Sequence, residues 1–306
     1  MRILITGASG LLGLNACLVL AKRFDVFGVV HQTKMDHVPF QLLHADLSVE
    51  GAVKKVIEDV QPDIFLNCAA LAQIDRCEEM PRIAERINTW MPGKAAFHCK
   101  QNHIPFIHIS TDAVFDGEKG GYAETDLPNP LSVYARTKLD GESRVFDANP
   151  DALVARVNFY GHSISGTRSL AEYFLNNLLE NNPVNGFVDV VFSPLYVHHL
   201  VEILYAMLER SLHGLFHIVS GEKISKYDFG RRIAEVLSLD ANIINPSSFK
   251  DAGLKAKRSP NLFLNINKLK ETGIEIPTID QGLQAFATDF QKKWHKKLRA
   301  YQFSGG

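Results

Sequence analysis

Two side chains one helical turn apart, Tyr134 and Lys138, have the types and spacing of a proton donor and a group that adjusts its acidity. A phenol has a pKa of about 10, so alone it exchanges protons poorly with a ketone or an alcohol at neutral pH. A neighbouring ammonium lowers that pKa, and residues four apart share one face of a helix. The pair therefore predicts a proton donor that acts as a hydride is transferred. The alternative is a surface tyrosine–lysine pair.

Polar residues also end the strand that precedes this helix. HISTDAVFDG places Ser110, Thr111 and Asp112 at the carboxyl end of a predicted strand, where a doubly wound sheet exposes its ligand cleft. Thr111 can hydrogen-bond the same oxygen as Tyr134, so Thr111, Tyr134 and Lys138 are the predicted catalytic residues. Asp112 is predicted to face the substrate.

Three glycines near the start of the chain have the spacing of a nucleotide-binding turn. Gly7, Gly10 and Gly13 lie between a predicted strand and a predicted helix. Such a turn lets the backbone approach a pyrophosphate, while the helix N-terminus offers free N–H groups and a partial positive charge. We therefore expect the cofactor to contact these glycines together with Ser9, Leu11 and Leu12. The alternative is an ordinary glycine-rich turn.

The end of the second strand predicts which dinucleotide is bound. An acid there would bind a ribose 2′-hydroxyl, whereas a cation accommodates a 2′-phosphate. The segment HQTK contains His31 and Lys34, and the next acid is Asp36. We therefore predict NADP, with His31 and Lys34 in contact with it, and NAD is the alternative.

Strands alternate with helices through the first half of the chain. The segments MRILITG, DVFGVVH, DIFLNCAA, PFIHIS and ALVARVN read as strands, with helices at 11–24, 48–60, 80–102 and 131–147. This alternation is typical of βαβ units, so the predicted class is α/β, a Rossmann-type doubly wound parallel sheet. After Gly161 the alternation breaks. We predict an NADP-binding domain over 1–161, with returns near 187–219, and a smaller, mainly helical substrate-binding part over 162–186 and 220–306.

The composition argues against several classes of protein. The net charge is −1, which gives no field for gathering nucleic acid or an anionic membrane. The uncharged segment 3–21 is interrupted by glycines, so neither a membrane helix nor a signal peptide is predicted, and a cytoplasmic location is expected. His198 and His199 have no third ligand in the pattern, so no metal site is predicted.

These stretches together resemble the extended short-chain dehydrogenase/reductase superfamily, and within it the dTDP-4-dehydrorhamnose reductase-like branch. The resemblance is carried by TGASGLLG, HADL, PDIFLNCAA, HISTDAVFDG, PLSVYARTKLDGE and ARVNFYG, and it continues through FSPLYVHHL and GLFHIVSG. It is dense through residue 161 and thins after about residue 235.

The resemblance implies roles for particular residues. The family's catalytic set matches Thr111, Tyr134 and Lys138, with Lys138 also holding the nicotinamide ribose. Further residues are expected at the cofactor, namely Asp46 and Leu47 near the adenine and Cys68, Ala69 and Ala70 beside it. Asn88 is expected as a structural support, and Arg156 and Arg258 lie at positions near the substrate, with Arg258 the stronger candidate for binding a diphosphate.

Two departures from the family pattern concern the sugar. The branch usually reads STDYVFDG, but Ala113 stands at the tyrosine position, which in the family lies beside the sugar. A segment that usually contains tryptophan reads Asn158-Phe159-Tyr160-Gly161. The resemblance thus implies intact redox chemistry with an altered sugar pocket.

The predicted function is NADP-dependent reduction of a nucleotide-linked 4-keto-deoxysugar. An epimerase or dehydratase that recycles its hydride is one alternative, and a catalytically silent NADP-binding regulatory subunit is another. A dehydratase commonly needs an acid and a base beside the tyrosine, and the STD segment offers Asp112 but no glutamate next to it, so reduction is preferred. By resemblance alone, a homodimer is also expected.

Overall fold

The structure, a computed structural model, describes residues 1–251 and 259–302. The strands in chain order are β1 (Arg2–Thr6), β2 (Asp25–Val30), β3 (Gln41–His44), β4 (Ile64–Asn67), β5 (Phe106–Thr111), β6 (Leu153–Val157), β7 (Phe159–Tyr160), β8 (Val184–Phe187), β9 (Val191–Phe192), β10 (Leu195–Tyr196), β11 (Gly214–Ile218), β12 (Ile224–Ser225), β13 (Ile244–Ser247) and β14 (Asn261–Leu262). The α-helices are α1 (Leu11–Leu20), α2 (Ala52–Val60), α3 (Ile74–Glu79), α4 (Pro81–Glu85), α5 (Met91–Gln101), α6 (Val133–Ala148), α7 (Leu170–Leu179), α8 (Val197–Glu209), α9 (Lys226–Leu237), α10 (Asn267–Glu271), α11 (Ile279–Gln291) and α12 (Trp294–Ala300).

Seven strands form one parallel sheet in the order β11-β6-β5-β4-β1-β2-β3. Alternate residues of β1 enter two separate cores, Ile3 and Ile5 on one face and Leu4 on the other. Helices α1 and α8 cover the first face, while α2, α5 and α6 cover the second. The predicted Rossmann-type doubly wound sheet is therefore confirmed.

Several predicted boundaries differ from the structure. Helix α1 ends at Leu20, four residues before the predicted end. The helix predicted over 80–102 is divided into α4, a π-helical segment (Arg86–Trp90) and α5, with α3 before it. Pro81 has no N–H to continue α3, which explains the division at that point. Strand β3 was not predicted from the sequence.

The later part of the chain adds short strands to its helices. They form small sheets in the orders β12-β9-β14, β13-β8 and β10-β7. The C-terminal helix α12 returns to α1, where the Trp294 Nε1 atom donates to Asn15 Oδ1 over 3.1 Å. Within residues 1–251 and 259–302, no helix combines the length and apolar character needed to cross a bilayer.

Candidate functional site

The glycine turn between β1 and α1 has a geometry that only glycine satisfies. Gly7 has a φ of +68°, and a Cβ there would lie 2.8 Å from the Cys68 carbonyl oxygen. A Cβ on Gly13 would lie 2.2 Å from the Gly7 carbonyl oxygen. Helix α1 begins at Leu11 with no side-chain cap, so the N–H groups of its first turn are available to an anion.

A cavity of about 300 Å³ adjoins this turn. Its lining includes seven of the residues predicted to contact the cofactor, namely Gly7, Ser9, His31, Asp46, Leu47, Ala69 and Ala70. Lys34 is exposed and is not part of this lining. Arg76, on α3, lines the cavity and was not singled out from the sequence. The sequence alone could not place Arg76 at this cavity, because α3 follows β4 whereas the glycine turn follows β1.

The remaining cofactor candidates lie in or next to the turn. Gly10 donates its N–H to the Gly7 oxygen over 2.8 Å, which closes the turn. The Leu12 side chain is buried in the core, so only its backbone can serve a ligand. The half-buried Cys68 follows β4 beside Gly7.

An acidic group lies beside His31 at the end of β2. The His31 Nε2 atom is 3.5 Å from Asp46 Oδ2, and both side chains are partly exposed. A hydrogen bond from the Ser48 hydroxyl is the main cause that lowers the pKa of Asp46. Asp46 therefore carries a negative charge at neutral pH, next to the segment where the sequence shows no acid.

Helix α6 begins at a position that places Tyr134 in its first turn. The Ser132 hydroxyl accepts from the Ala135 N–H over 3.2 Å, as a helix N-cap does. Glu78 accepts from the Val133 N–H over 2.8 Å. The Glu78 carboxylate thus stabilises the start of α6, and Tyr134 faces the end of β5.

The hydroxyls of Thr111 and Tyr134 meet at the carboxyl end of β5. A hydrogen bond from Thr111 acts on the Tyr134 phenol. The Thr111 Oγ1 atom lies 3.1 Å from Asp112 Oδ1, the other acceptor within reach of its single hydrogen, and the Asn158 amide donates to Asp112 Oδ2 over 2.6 Å. Asp112 is 4% exposed, and burial raises its pKa to about 6. The structure therefore joins two predicted site residues, Thr111 and Asp112, to Tyr134 and to Asn158.

Lys138 is more deeply buried than Tyr134, which lies one turn earlier on α6. It is 2% exposed, and its Nζ atom donates to the Ile109 carbonyl oxygen over 2.6 Å. The Nε2 atom of His108 is 3.2 Å from the same Nζ. Burial lowers the pKa of Lys138 to about 8, with Glu142 and Cys68 acting in the opposite direction.

The pKa of Tyr134 differs from the sequence expectation. Burial raises it to about 12, although the hydrogen bond from Thr111 lowers it and the charge of Asp112 raises it further. Lys138 does not lower this pKa as the sequence led us to expect. The physical reason is that the lysine amine is bound to β5, at His108 and Ile109, and is desolvated there.

Asn88 supports the site as the resemblance implies. Its amide accepts from the Leu71 N–H over 2.9 Å and donates to the Leu71 oxygen and to Thr137 Oγ1, each over 3.1 Å. These contacts fix the segment after β4 against α6. The close approach of α6 is possible because a Cβ on Gly141 would lie 2.2 Å from the Asn88 oxygen.

The two arginines expected near the substrate have different outcomes. Arg156 is 3% exposed, and its Nε and Nη2 atoms donate to Glu142 over 3.0 and 2.7 Å. Its charge is therefore used in a buried ion pair with Glu142, and its place near the substrate stays a prediction. Arg258 lies outside the described residues. Among the residues that the structure describes, no group of His, Cys, Asp and Glu could hold a metal ion.

Comparisons with known proteins agree with this architecture. A family model described as the RmlD substrate binding domain matches residues 1–292. The probable low-salt glycan biosynthesis reductase Agl14 of Haloferax volcanii is 33% identical over 297 residues, which cover 95% of this chain and 98% of that protein. The methionine adenosyltransferase 2 subunit beta of Rattus norvegicus is 30% identical and covers 97% of this chain and 91% of its own length.

A solved structure has the same fold over nearly the whole chain. The dTDP-4-dehydrorhamnose reductase of Clostridium acetobutylicum superposes with a TM-score of 0.83 at 27% identity, covering 95% of this chain and 100% of its own. The family model, the sequence relatives and this superposition agree over the same span. The chain therefore belongs to the RmlD substrate binding domain family.

Proposed function

We propose that this protein is an NADP-dependent reductase of a nucleotide-linked 4-keto-deoxysugar. The observation that carries the proposal is that Thr111 and Tyr134 come together at the carboxyl end of β5, with the buried Lys138 one turn further along α6. Ligands of doubly wound sheets bind outside this edge. The reductases among the similar proteins support the reaction class.

The residues of the glycine turn fit a dinucleotide. The left-handed backbone at Gly7 and the close packing of Gly13 against Gly7 form a tight turn of the kind that binds a pyrophosphate, and the uncapped start of α1 can bind its charge. A bound nicotinamide supplies the hydride. His31 and Arg76 line the same cavity and can accept a 2′-phosphate, which favours NADP over NAD.

In the proposed reaction, Tyr134 delivers a proton to the carbonyl oxygen as the carbon is reduced. Thr111 hydrogen-bonds the same oxygen and orients it. An ammonium on Lys138 favours the phenolate that proton donation leaves behind, and it also binds the cofactor ribose. Asp112 shapes the substrate side of this group, held by Asn158.

The experiment is a turnover assay with the purified protein. NADPH or NADH is mixed with dTDP-, UDP- and GDP-linked 4-keto-deoxysugars, and cofactor oxidation is followed by absorbance. We expect oxidation of NADPH with at least one of these sugars and weaker use of NADH. NADPH binding without oxidation of any substrate in the panel would contradict the reductase proposal.

A regulatory subunit is the second candidate. Ala113 replaces the tyrosine that the family places beside the sugar, and one group of similar proteins consists of beta subunits of methionine adenosyltransferase. This candidate predicts tight NADPH binding, no turnover and co-purification with an enzyme. A homodimer also stays a prediction, which light scattering of the purified chain would test.

A further inference from the structure

A buried row of polar side chains runs beneath Lys138 and crosses three strands. Thr6 on β1, Asn67 on β4 and His108 on β5 are each 0% exposed. The Thr6 hydroxyl is 2.6 Å from Asn67 Oδ1, Asn67 Nδ2 is 2.9 Å from His108 Nδ1, and His108 Nε2 is 3.2 Å from Lys138 Nζ. Polar groups buried this deeply need hydrogen-bond partners, so their donors and acceptors must match along the row.

The donor and acceptor roles along this row are set at Thr6. The Ala69 N–H donates to Thr6 Oγ1 over 3.2 Å, and the Thr6 hydroxyl donates to Asn67 Oδ1. The Asn67 amide therefore turns its NH₂ group toward His108, and His108 Nδ1 must accept. A neutral imidazole with an accepting Nδ1 carries its hydrogen on Nε2. Burial, the largest cause, keeps the pKa of His108 well below its usual value, so the ring is neutral.

This order of donors and acceptors favours one protonation state of Lys138 over the other. The Nε2–H of His108 points at Lys138 Nζ as a donor, and an ammonium has no lone pair to accept it. A neutral amine has one lone pair for His108 and keeps an N–H for the Ile109 oxygen, which lies 2.6 Å away. Both contacts of Lys138 are therefore satisfied only by the amine.

The charges around Lys138 agree with this reading. Glu142, one turn further along α6, is the acid that most favours an ammonium, but it already accepts from Arg156 over 2.7 Å and from Ser110. Burial keeps the Cys68 thiol neutral by raising its pKa. The Tyr134 phenol is also neutral, because its pKa is raised to about 12 mainly by burial.

We propose that His108, oriented by Asn67, is a positioning residue that sets the protonation state of Lys138. With Asn67 Nδ2 toward the ring, His108 favours the neutral amine and so lowers the pKa of Lys138. With the carboxamide rotated and the ring hydrogen on Nδ1, His108 Nε2 accepts instead and holds an ammonium. The two arrangements differ by one proton, which the ammonium form takes from solvent. The consequence for turnover rests on the proposed function, since only the ammonium favours the Tyr134 phenolate.

The test measures protonation directly and needs no substrate. Histidine labelled with ¹⁵N reports which ring nitrogen of His108 carries the hydrogen, and lysine labelled with ¹³C at Cε reports the pKa of Lys138. The signals are assigned by their loss in His108→Gln and Lys138→Met. In the wild type we expect the hydrogen on Nε2 and a Lys138 pKa of about 8.

Two variants should raise the pKa of Lys138. The His108→Gln side chain can offer a carbonyl oxygen to an ammonium, so it should raise the pKa of Lys138 by about one unit or more. The Asn67→Asp carboxylate should also raise the pKa of Lys138. It accepts a hydrogen bond from the Nδ1–H of His108, which leaves His108 Nε2 as an acceptor for an ammonium. His217→Gln is the matched control, since His217 is equally buried but lies on β11, two strands from β5.

The outcomes separate this inference from the reductase proposal. A wild-type His108 with its hydrogen on Nδ1 would overturn it, even if neither variant folds. So would a Lys138 pKa that is the same in His108→Gln as in the wild type. A purely structural role for His108 predicts lower stability without a change in the pKa of Lys138. A protein with the expected shifts and no turnover would contradict only the reductase proposal.

Discussion

Asp112 is the buried acid of the site, and its environment makes stability depend on pH. Burial raises its pKa to about 6, from an ordinary value of 3.8. The folded protein therefore binds this proton more tightly than the unfolded chain does, and the stability it contributes is lost as the pH rises through that range. The difference between the pKa of Asp112 in the folded protein and its ordinary value corresponds to about 2–3 kcal/mol in the free energy of unfolding.

Asp112→Asn should remove this pH-dependent cost. The quantity to compare is the free energy of unfolding of the variant minus that of the wild type. We expect this difference to be about 2–3 kcal/mol larger at pH 7.5 than at pH 4. Urea denaturation of both proteins at the two pH values measures the difference. Asp116→Asn is the control, because hydrogen bonds, first that from the Glu118 N–H, lower the pKa of Asp116 and predict the opposite sign. Equal differences for both variants would contradict the account.

At the residue scale, the sequence predicted side-chain types better than it predicted their partners. Spacing predicted that Thr111 and Tyr134 belong to one site, because strand ends and the next helix meet at one sheet edge. Spacing could not predict that the Lys138 amine binds His108 or that Arg156 pairs with Glu142. Such partners lie on other strands and depend on which way each buried side chain turns.

Among the elements, the turn between β1 and α1 makes the strictest demand on the sequence. Gly7 and Gly51 both have left-handed backbones, with φ of +68° and +76°. A Cβ on Gly7 would meet the backbone of Cys68 and Ala69 at 2.8–2.9 Å, whereas a Cβ on Gly51 would meet nothing within 4 Å. Substitution of Gly51 therefore measures the cost of the left-handed backbone alone, whereas substitution of Gly7 adds the cost of a clash with the backbone after β4.

Alanine at these two glycines should have unequal effects. Each substitution costs about 1–2 kcal/mol for the left-handed backbone. Gly7→Ala should cost clearly more and should also weaken NADPH binding, because the backbone after β4 must move. Urea denaturation and NADPH titration measure both effects. Equal losses of stability in the two variants, with unchanged NADPH affinity, would show that the close approach is unimportant.

The alternation of strands and helices was readable because buried parallel strands form continuous apolar runs, such as Ile64, Phe65 and Leu66 in β4. Strand β3 was missed because QLLH is short and only partly buried at the sheet edge. The π-helical segment Arg86–Trp90 was also missed. It carries Asn88, whose contacts with Leu71 and Thr137 are not visible in a local pattern.

Over the whole molecule, Asn15 joins the nucleotide helix to the C-terminal helices. It is completely buried, and its Nδ2 donates to the Leu11 and His162 oxygens over 2.7 and 2.9 Å. Its Oδ1 accepts from Trp294 and lies 3.0 Å from His198 Nε2. The predicted division into a nucleotide part and a substrate part stays a prediction, but the C-terminal segment contributes to both.

Asn15→Ala should lower the free energy of unfolding by about 2–4 kcal/mol, because it leaves several buried polar groups without partners. Urea denaturation followed by tryptophan fluorescence measures the loss and reports on Trp294. The control is Asn102→Ala, which removes one exposed hydrogen bond to the His98 oxygen and should cost about 1 kcal/mol or less. A similar loss in both variants would mean that the junction adds little.

The central claim is that Tyr134 gives the proton when the carbonyl is reduced, and Tyr134→Phe tests it most directly. With a substrate that the wild type reduces, kcat of the variant should fall by about a hundredfold or more, since a positioned proton donor contributes about 10²–10⁴. NADPH affinity should stay unchanged, and Tyr205→Phe on α8 should retain wild-type turnover. Wild-type kcat in Tyr134→Phe, or a loss of NADPH binding as large as the loss of turnover, would contradict the claim.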